Sequence, residues 1–162
     1  MARLPGITPA KFRSLLKEAA VALAPPDEAC RPTLFVDGAS RGNPGPSGAG
    51  GVIYQGKERL GQVSQPLGIM TNNQAEYQAL IRGLALARQL GLKALSIKSD
   101  SQLMVRQIEG RYRVKDAKLK PLYRQTLAAL KLLEGYDIIY IERSLNQEAD
   151  RLANQALDGP GS

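Results

Sequence analysis

A chain of 162 residues suits one domain with a real core, and no apolar run in it approaches the roughly 18 to 20 residues that a bilayer span needs. The absence of histidine and the single cysteine, Cys30, exclude Ser-His-Asp and Cys-His catalysis, imidazole- or thiolate-bound metals and a disulfide framework. The net charge of +7 favours a polyanionic partner held through phosphate neutralisation. What chemistry remains must use carboxylates, Lys, Tyr, Ser or a metal bound by oxygen.

Residues 1–30 read as a helical appendage and linker, 31–158 as the main domain and 159–162 as a flexible tail. In the appendage Thr8 can cap, Pro9 fits the first turn, and Phe12, Leu15, Leu16, Ala19 and Leu23 fall on one helical face before Pro25 and Pro26. Lys11, Arg13, Lys17 and Glu18 stand where a signal peptide needs an unbroken apolar stretch, so the expected compartment is the cytoplasm, with no membrane partner. From Arg31 the pattern becomes α/β. Thr33–Val36 predicts a first strand, residues 48–54 a second and residues 59–66 a third, joined by turns short enough for antiparallel hairpins. Residues 71–90 predict the longest helix, closed by Gly91 as the residue after its C-cap. A fourth strand (95–99), a helix through Ile108, a helix over 118–133, a fifth strand (137–141) and a terminal helix (147–157) follow. This order predicts a five-stranded mixed sheet flanked by helices. Residues 101–125 hold seven basic and two acidic side chains, which is most of the chain's positive surplus.

Four carboxylates stand at strand ends and helix starts. Asp37 follows the apolar run Leu34, Phe35, Val36 and either caps the turn at Gly38 and Ala39 or ligates a cation. Glu76 projects from the apolar face of the long helix, with Ala79, Leu80 and Gly83, and also fits a capping box with Asn73. Asp100 ends the fourth strand, where an N-cap is the ordinary role, and Asp150 lies in the first turns of the last helix, after Asn146 as its cap. Gathered in one pocket they would repel: a pair about 4 Å apart costs roughly 4 kcal/mol at an effective dielectric of 20. Only cations make such a cluster sensible, and all-oxygen ligands select hard ions such as Mg²⁺ or Mn²⁺. Two such ions about 3.5 to 4 Å apart form the device that hydrolyses phosphodiesters.

The blocks DGASRGNPGPSGAG, TNNQAEYQAL, SDSQLMVRQI and NQEADRLANQAL resemble, in order and spacing, the four signature blocks of type 1 ribonuclease H, over about Leu34 to Leu157. The resemblance implies the ribonuclease H-like fold and metal-dependent hydrolysis of the RNA strand of RNA/DNA hybrids, with two Mg²⁺ (or Mn²⁺) ions, leaving 5′-phosphate and 3′-hydroxyl ends. It implies Asp37, Glu76, Asp100 and Asp150 as catalytic metal ligands. Asn43 and Thr71 match residues that hold the DNA phosphate, and Asn72, Asn73 and Gln102 match those that read bases and 2′-hydroxyls of the RNA. The chain departs from the pattern twice. The loop before the last carboxylate, ERSLNQEAD, lacks the histidine of many members, leaving Arg143 or Glu148 to stand in for it; and RYRVKDAKLKPLYRQ is shorter than the tryptophan-containing basic protrusion of well-known bacterial members. Arg111, Arg113, Lys115 and Lys118 are still expected to touch phosphates, and the protein is expected to be a monomer.

Overall fold

The computed structural model describes residues 31–158; the expected N-terminal helix, its linker and the tail at 159–162 lie outside the described residues. Five strands, β1 (Thr33–Ser40), β2 (Gly45–Gln55), β3 (Glu58–Met70), β4 (Ala94–Ser99) and β5 (Gly135–Tyr140), form one sheet in the order β3-β2-β1-β4-β5. β1, β2 and β3 are an antiparallel meander, while β4 pairs parallel with both β1 and β5. Four α-helices complete the domain: α1 (Asn72–Gln89), α2 (Gln102–Ile108), α3 (Lys120–Leu130) and α4 (Gln147–Asp158). The mixed sheet and its helices are those that the hydrophobic pattern predicts.

Alternation along β1 divides the two faces of the sheet. Leu34 and Val36 are fully buried and face α1, whose Ala75, Ala79, Leu80, Gly83, Leu84 and Ala87 form the matching buried stripe. Burying a side chain of that size contributes about 2 kcal/mol. Leu130 of α3 and Leu119 join the same core, with Leu122, Leu127 and Leu133 packed at its margin. α4 lies across the opposite face, on β1, β2 and β3.

Glycines in two strands set how closely the helices approach. A Cβ on Gly38 would lie 2.3 Å from the Ala75 carbonyl carbon and 2.4 Å from Glu76 N, so the first turns of α1 rest directly on the β1 backbone. A Cβ on Gly50 would lie 2.1 Å from Ala149 O and 2.4 Å from Ala153 N, so α4 sits against β2 in the same manner. Only glycine allows both contacts.

The strands run longer than the apolar pattern predicts. β1 continues through Asp37 to Ser40, because Gly38, Ala39 and Ser40 pair with Ala49, Gly48 and Ser47 instead of turning. Its parallel ladder to β4 nevertheless stops at Val36. Asp37 is therefore the first residue of β1 beyond its parallel neighbour, inside a strand and not at its end. No helix among the described residues is long and apolar enough to cross a membrane.

Candidate active site

Each carboxylate singled out in the sequence has an ordinary role open to it, and in the structure neighbours take the helix-capping roles. Thr71 is the N-cap of α1: its hydroxyl accepts from Gln74 N at 3.2 Å, and the Gln74 side chain accepts from Thr71 N at 2.8 Å. The capping box is thus Thr71 with Gln74, not Asn73 with Glu76, and the Glu76 carboxylate is left free of the helix end. At α2 the cap is Ser101, whose hydroxyl accepts from Met104 N at 3.3 Å, so Asp100 stands one residue outside that role. Asp37 lies within a strand rather than capping a turn.

Released from capping, three of these groups meet. Asp37, Glu76 and Asp100 each present an oxygen, all within 4.8 Å of one another. Asp37 and Glu76 are 6% exposed, too little for water to screen them from each other. Asp150 faces the same cavity, close enough for its charge to help raise the Asp37 carboxyl. All four line one cavity of about 470 Å³, together with Ser40, Asn72, Tyr140, Arg143 and Asn154.

The electrostatics follow from this geometry. Burial, then the charges of Glu76, Asp100 and Asp150, push the Asp37 carboxyl far above the usual carboxylate range. Burial also raises Glu76, against the pull of the Gly38 N–H, which donates to Glu76 Oε1 at 2.7 Å. Asp100 is raised as well, chiefly by burial, and held down in part by a hydrogen bond from Asn146. Arg143 lies 3.7 Å from Asp150 and is the cation on this cavity. One exposed guanidinium does not balance four carboxylates, so protons or a cation must. The donor set is all carboxylate oxygen, with no nitrogen or sulfur, which suits a hard divalent ion.

Three supporting contacts were not legible in the sequence. Asn146, 1% exposed, donates from Nδ2 to Val36 O at 2.8 Å and to Asp100, so it ties the start of α4 to β1 and to the end of β4 instead of capping its own helix by its side chain. Asn154 donates from Nδ2 to Asp150 O at 2.9 Å, and its place four residues after Asp150 was the available signal. The Gly38 N–H could be found only from the close approach of α1 to β1.

The remaining candidates surround the cavity. Asn43 Oδ1 accepts from Asn72 N at 3.0 Å, which joins the β1–β2 loop to the start of α1. Asn72 lines the cavity, whereas Asn73 and Gln102 are exposed on the first turns of α1 and α2. Glu148 points elsewhere, hydrogen-bonded to Arg151 at 2.7 Å and to Arg59. These partners, Arg151 first, hold its carboxyl down at about 2. Arg111 and Arg113 border a separate basic cavity of about 600 Å³, with Tyr112, Lys120, Tyr123 and Arg124; Lys115 and Lys118 are exposed nearby in sequence.

Residues 35–156 match the family model described as reverse transcriptase-like. The chain is 39% identical over 148 residues to the ribonuclease HI of Halobacterium salinarum, covering 85% of this chain and 69% of that protein. It is 42% identical over 127 residues to the bifunctional protein Rv2228c of Mycobacterium tuberculosis, covering 77% of this chain but only 35% of the longer relative. Among solved structures, LC11-RNase H1 in complex with an RNA/DNA hybrid superposes with a TM-score of 0.77 at 35% identity, over 82% of this chain and all of that one. Sheet order, acidic cavity and these similarities agree: the chain belongs to the ribonuclease HI family and is a hydrolase of the ribonuclease H type.

Proposed function

We propose that the protein is an endoribonuclease that cleaves the RNA strand of RNA/DNA hybrids in the cytoplasm, as a monomer, with divalent cations held by Asp37, Glu76, Asp100 and Asp150. The observation that carries this reading is the convergence of all four carboxylates on one cavity, with neighbours capping α1 and α2. A protein that only bound nucleic acid would have no use for that repulsion. Two Mg²⁺ or Mn²⁺ ions, when bound, would supply activation of the attacking water and stabilisation of the leaving oxygen, giving 5′-phosphate and 3′-hydroxyl ends.

The chain's own groups orient and neutralise. Gly38 N–H and the buried Asn146 amide fix Glu76 and Asp100 by hydrogen bonds to fixed elements, so the carboxylates need little reorganisation when a cation arrives. Arg143 supplies positive charge beside Asp150, where phosphate charge would gather. Arginine holds its proton too tightly to relay one, and Glu148 is committed to two arginines, so neither reproduces the missing histidine. Turnover slower than in members that carry the histidine is the expected consequence.

Asn43, whose side-chain oxygen is already taken by Asn72 N, has its amide N–H groups to offer a DNA phosphate, with Thr71 beside it at the helix start. Asn72, Asn73 and Gln102 sit at the rim, where base edges and 2′-hydroxyls of an RNA strand would pass.

Incubating the protein with an end-labelled hybrid and either Mg²⁺ or Mn²⁺ tests the reading. Cleavage of the RNA strand, lost on chelation and reduced at least about 100-fold in Asp37→Asn, is expected. Hybrid binding without cleavage, or equal cleavage of a DNA duplex, would overturn it.

A further inference from the structure

The sheet face on which α4 lies is only partly covered. Beyond the helix, strand register sets Phe35 beside Lys98 and sets Thr33 between Tyr54 and Ser96, all on the α4 side. With Arg31 and Lys57 these residues line a cavity of about 700 Å³ that none of the four carboxylates borders. Its floor is aromatic. The Phe35 and Tyr54 rings meet edge to face, centroids 6.2 Å apart. Its rim is cationic: Lys98 Nζ lies 5.7 Å from the Phe35 centroid, and the Arg59 guanidinium 5.5 Å from that of Tyr54. Arg59 is paired with Glu148, and Arg31 lies 3.8 Å from Asp137. Lys57 and Lys98 have no ion pair among the described residues.

We propose that this face is a second nucleic-acid site, which takes a single-stranded segment with bases stacked on Phe35 and Tyr54 and phosphates at Lys57 and Lys98. Adjacent rings on a sheet, interleaved with cations that have no carboxylate partner, match what unpaired bases on a phosphate backbone require. Residues 1–30, which join the domain at Arg31, carry four basic against three acidic side chains and so bring no net negative charge to this face. A polyanion complements it. Phe35 lies two residues before Asp37 on the same face of β1, about 7 Å along the strand, so a single-stranded extension of a bound duplex could reach it. The proposal rests on this face alone and not on the nuclease reading.

The test measures binding by the full-length chain in EDTA, using fluorescence anisotropy of labelled 12-nucleotide oligo-dT and oligo-U, with a blunt 12-base-pair RNA/DNA hybrid as reference. Tyr54→Leu removes one ring, and the double variant Lys57→Gln/Lys98→Gln, on exposed and half-buried side chains, removes charge without touching the core. Tyr54→Leu is expected to weaken oligomer binding about 10-fold or more. The lysine double variant is expected to lower the salt slope by about 1.4. Hybrid affinity should stay within about threefold in both. Loss with only one of the two oligomers also supports the site and identifies the sugar it prefers. Unchanged oligomer binding in both variants, or parallel loss for oligomer and hybrid, would overturn the proposal, whatever the cleavage assay shows.

Discussion

Replacing Asp37 by Asn should stabilise the metal-free protein, although it abolishes the proposed chemistry. Asp37, Glu76 and Asp100 hold oxygens within 4.8 Å of one another. At an effective dielectric of 20, two full charges at that separation repel by about 3.5 kcal/mol. Protons already relieve part of this, since burial and mutual repulsion raise all three carboxyls, so about 2 kcal/mol is the expected gain at pH 8. For a domain of this size that is about 8 °C in Tm. The pH dependence follows from the same shifts. Carboxyls in the unfolded chain titrate near pH 4, whereas the folded chain keeps its protons to higher pH; the folded state therefore binds more protons above about pH 4, and stability falls as pH rises through that window. The gain from Asp37→Asn should shrink toward zero near pH 4 and grow toward pH 8. Thermal melts followed by circular dichroism in EDTA, at pH 4, 6 and 8, check this. Adding Mg²⁺ should raise the wild-type Tm and affect the variant less. An Asp37→Asn melt that matches or falls below the wild type at pH 8, with no response of the wild type to Mg²⁺, would refute the shared site.

Gly50→Ala should cost more than about 3 kcal/mol in urea unfolding, because its Cβ would lie 2.1 Å from Ala149 O and only backbone stands in the way. α4 would have to lift, carrying Asp150 with it, so cleavage should fall with stability; a change under about 0.5 kcal/mol would contradict the packing. Glu148→Gln should cost under about 1 kcal/mol at pH 7 in low salt, because its arginine partners are half exposed. Its carboxyl is depressed to about 2, so the stabilisation is present above about pH 4.3 and lost as pH falls toward 2. A wild-type-minus-variant difference that ignores both pH and salt would show that these ion pairs contribute nothing.

Much of this site could be read from the chain because carboxylates beside apolar runs are costly unless they have a purpose. The succession of strands and helices along the chain followed from periodicity, and Asp37, Glu76, Asp100 and Asp150 followed from their places at element ends and from the resemblance. The misread details share one cause. Gly38, Ala39 and Ser40 look like a turn, but they remain in β1 because β2 supplies a partner for each, and pairing of that kind leaves no local signature. Asn73 with Glu76 satisfies the capping-box pattern as well as Thr71 with Gln74 does, and the contest is decided by β1, whose Gly38 N–H claims Glu76. Asn146 does precede the last helix, its carbonyl accepting from Asp150 N, but its side chain serves Val36 O, a need that the sequence cannot show.

The bare contacts of α1 on Gly38 and of α4 on Gly50 mean that the spacing of the acidic groups is inherited from the polypeptide skeleton, not from adjustable rotamers. Segments around Asn43 or Gln102 can therefore be exchanged while the acidic frame keeps its dimensions. The usual thermostabilising exchange of glycine for alanine is closed at positions 38 and 50, where a single methyl would dismantle the frame.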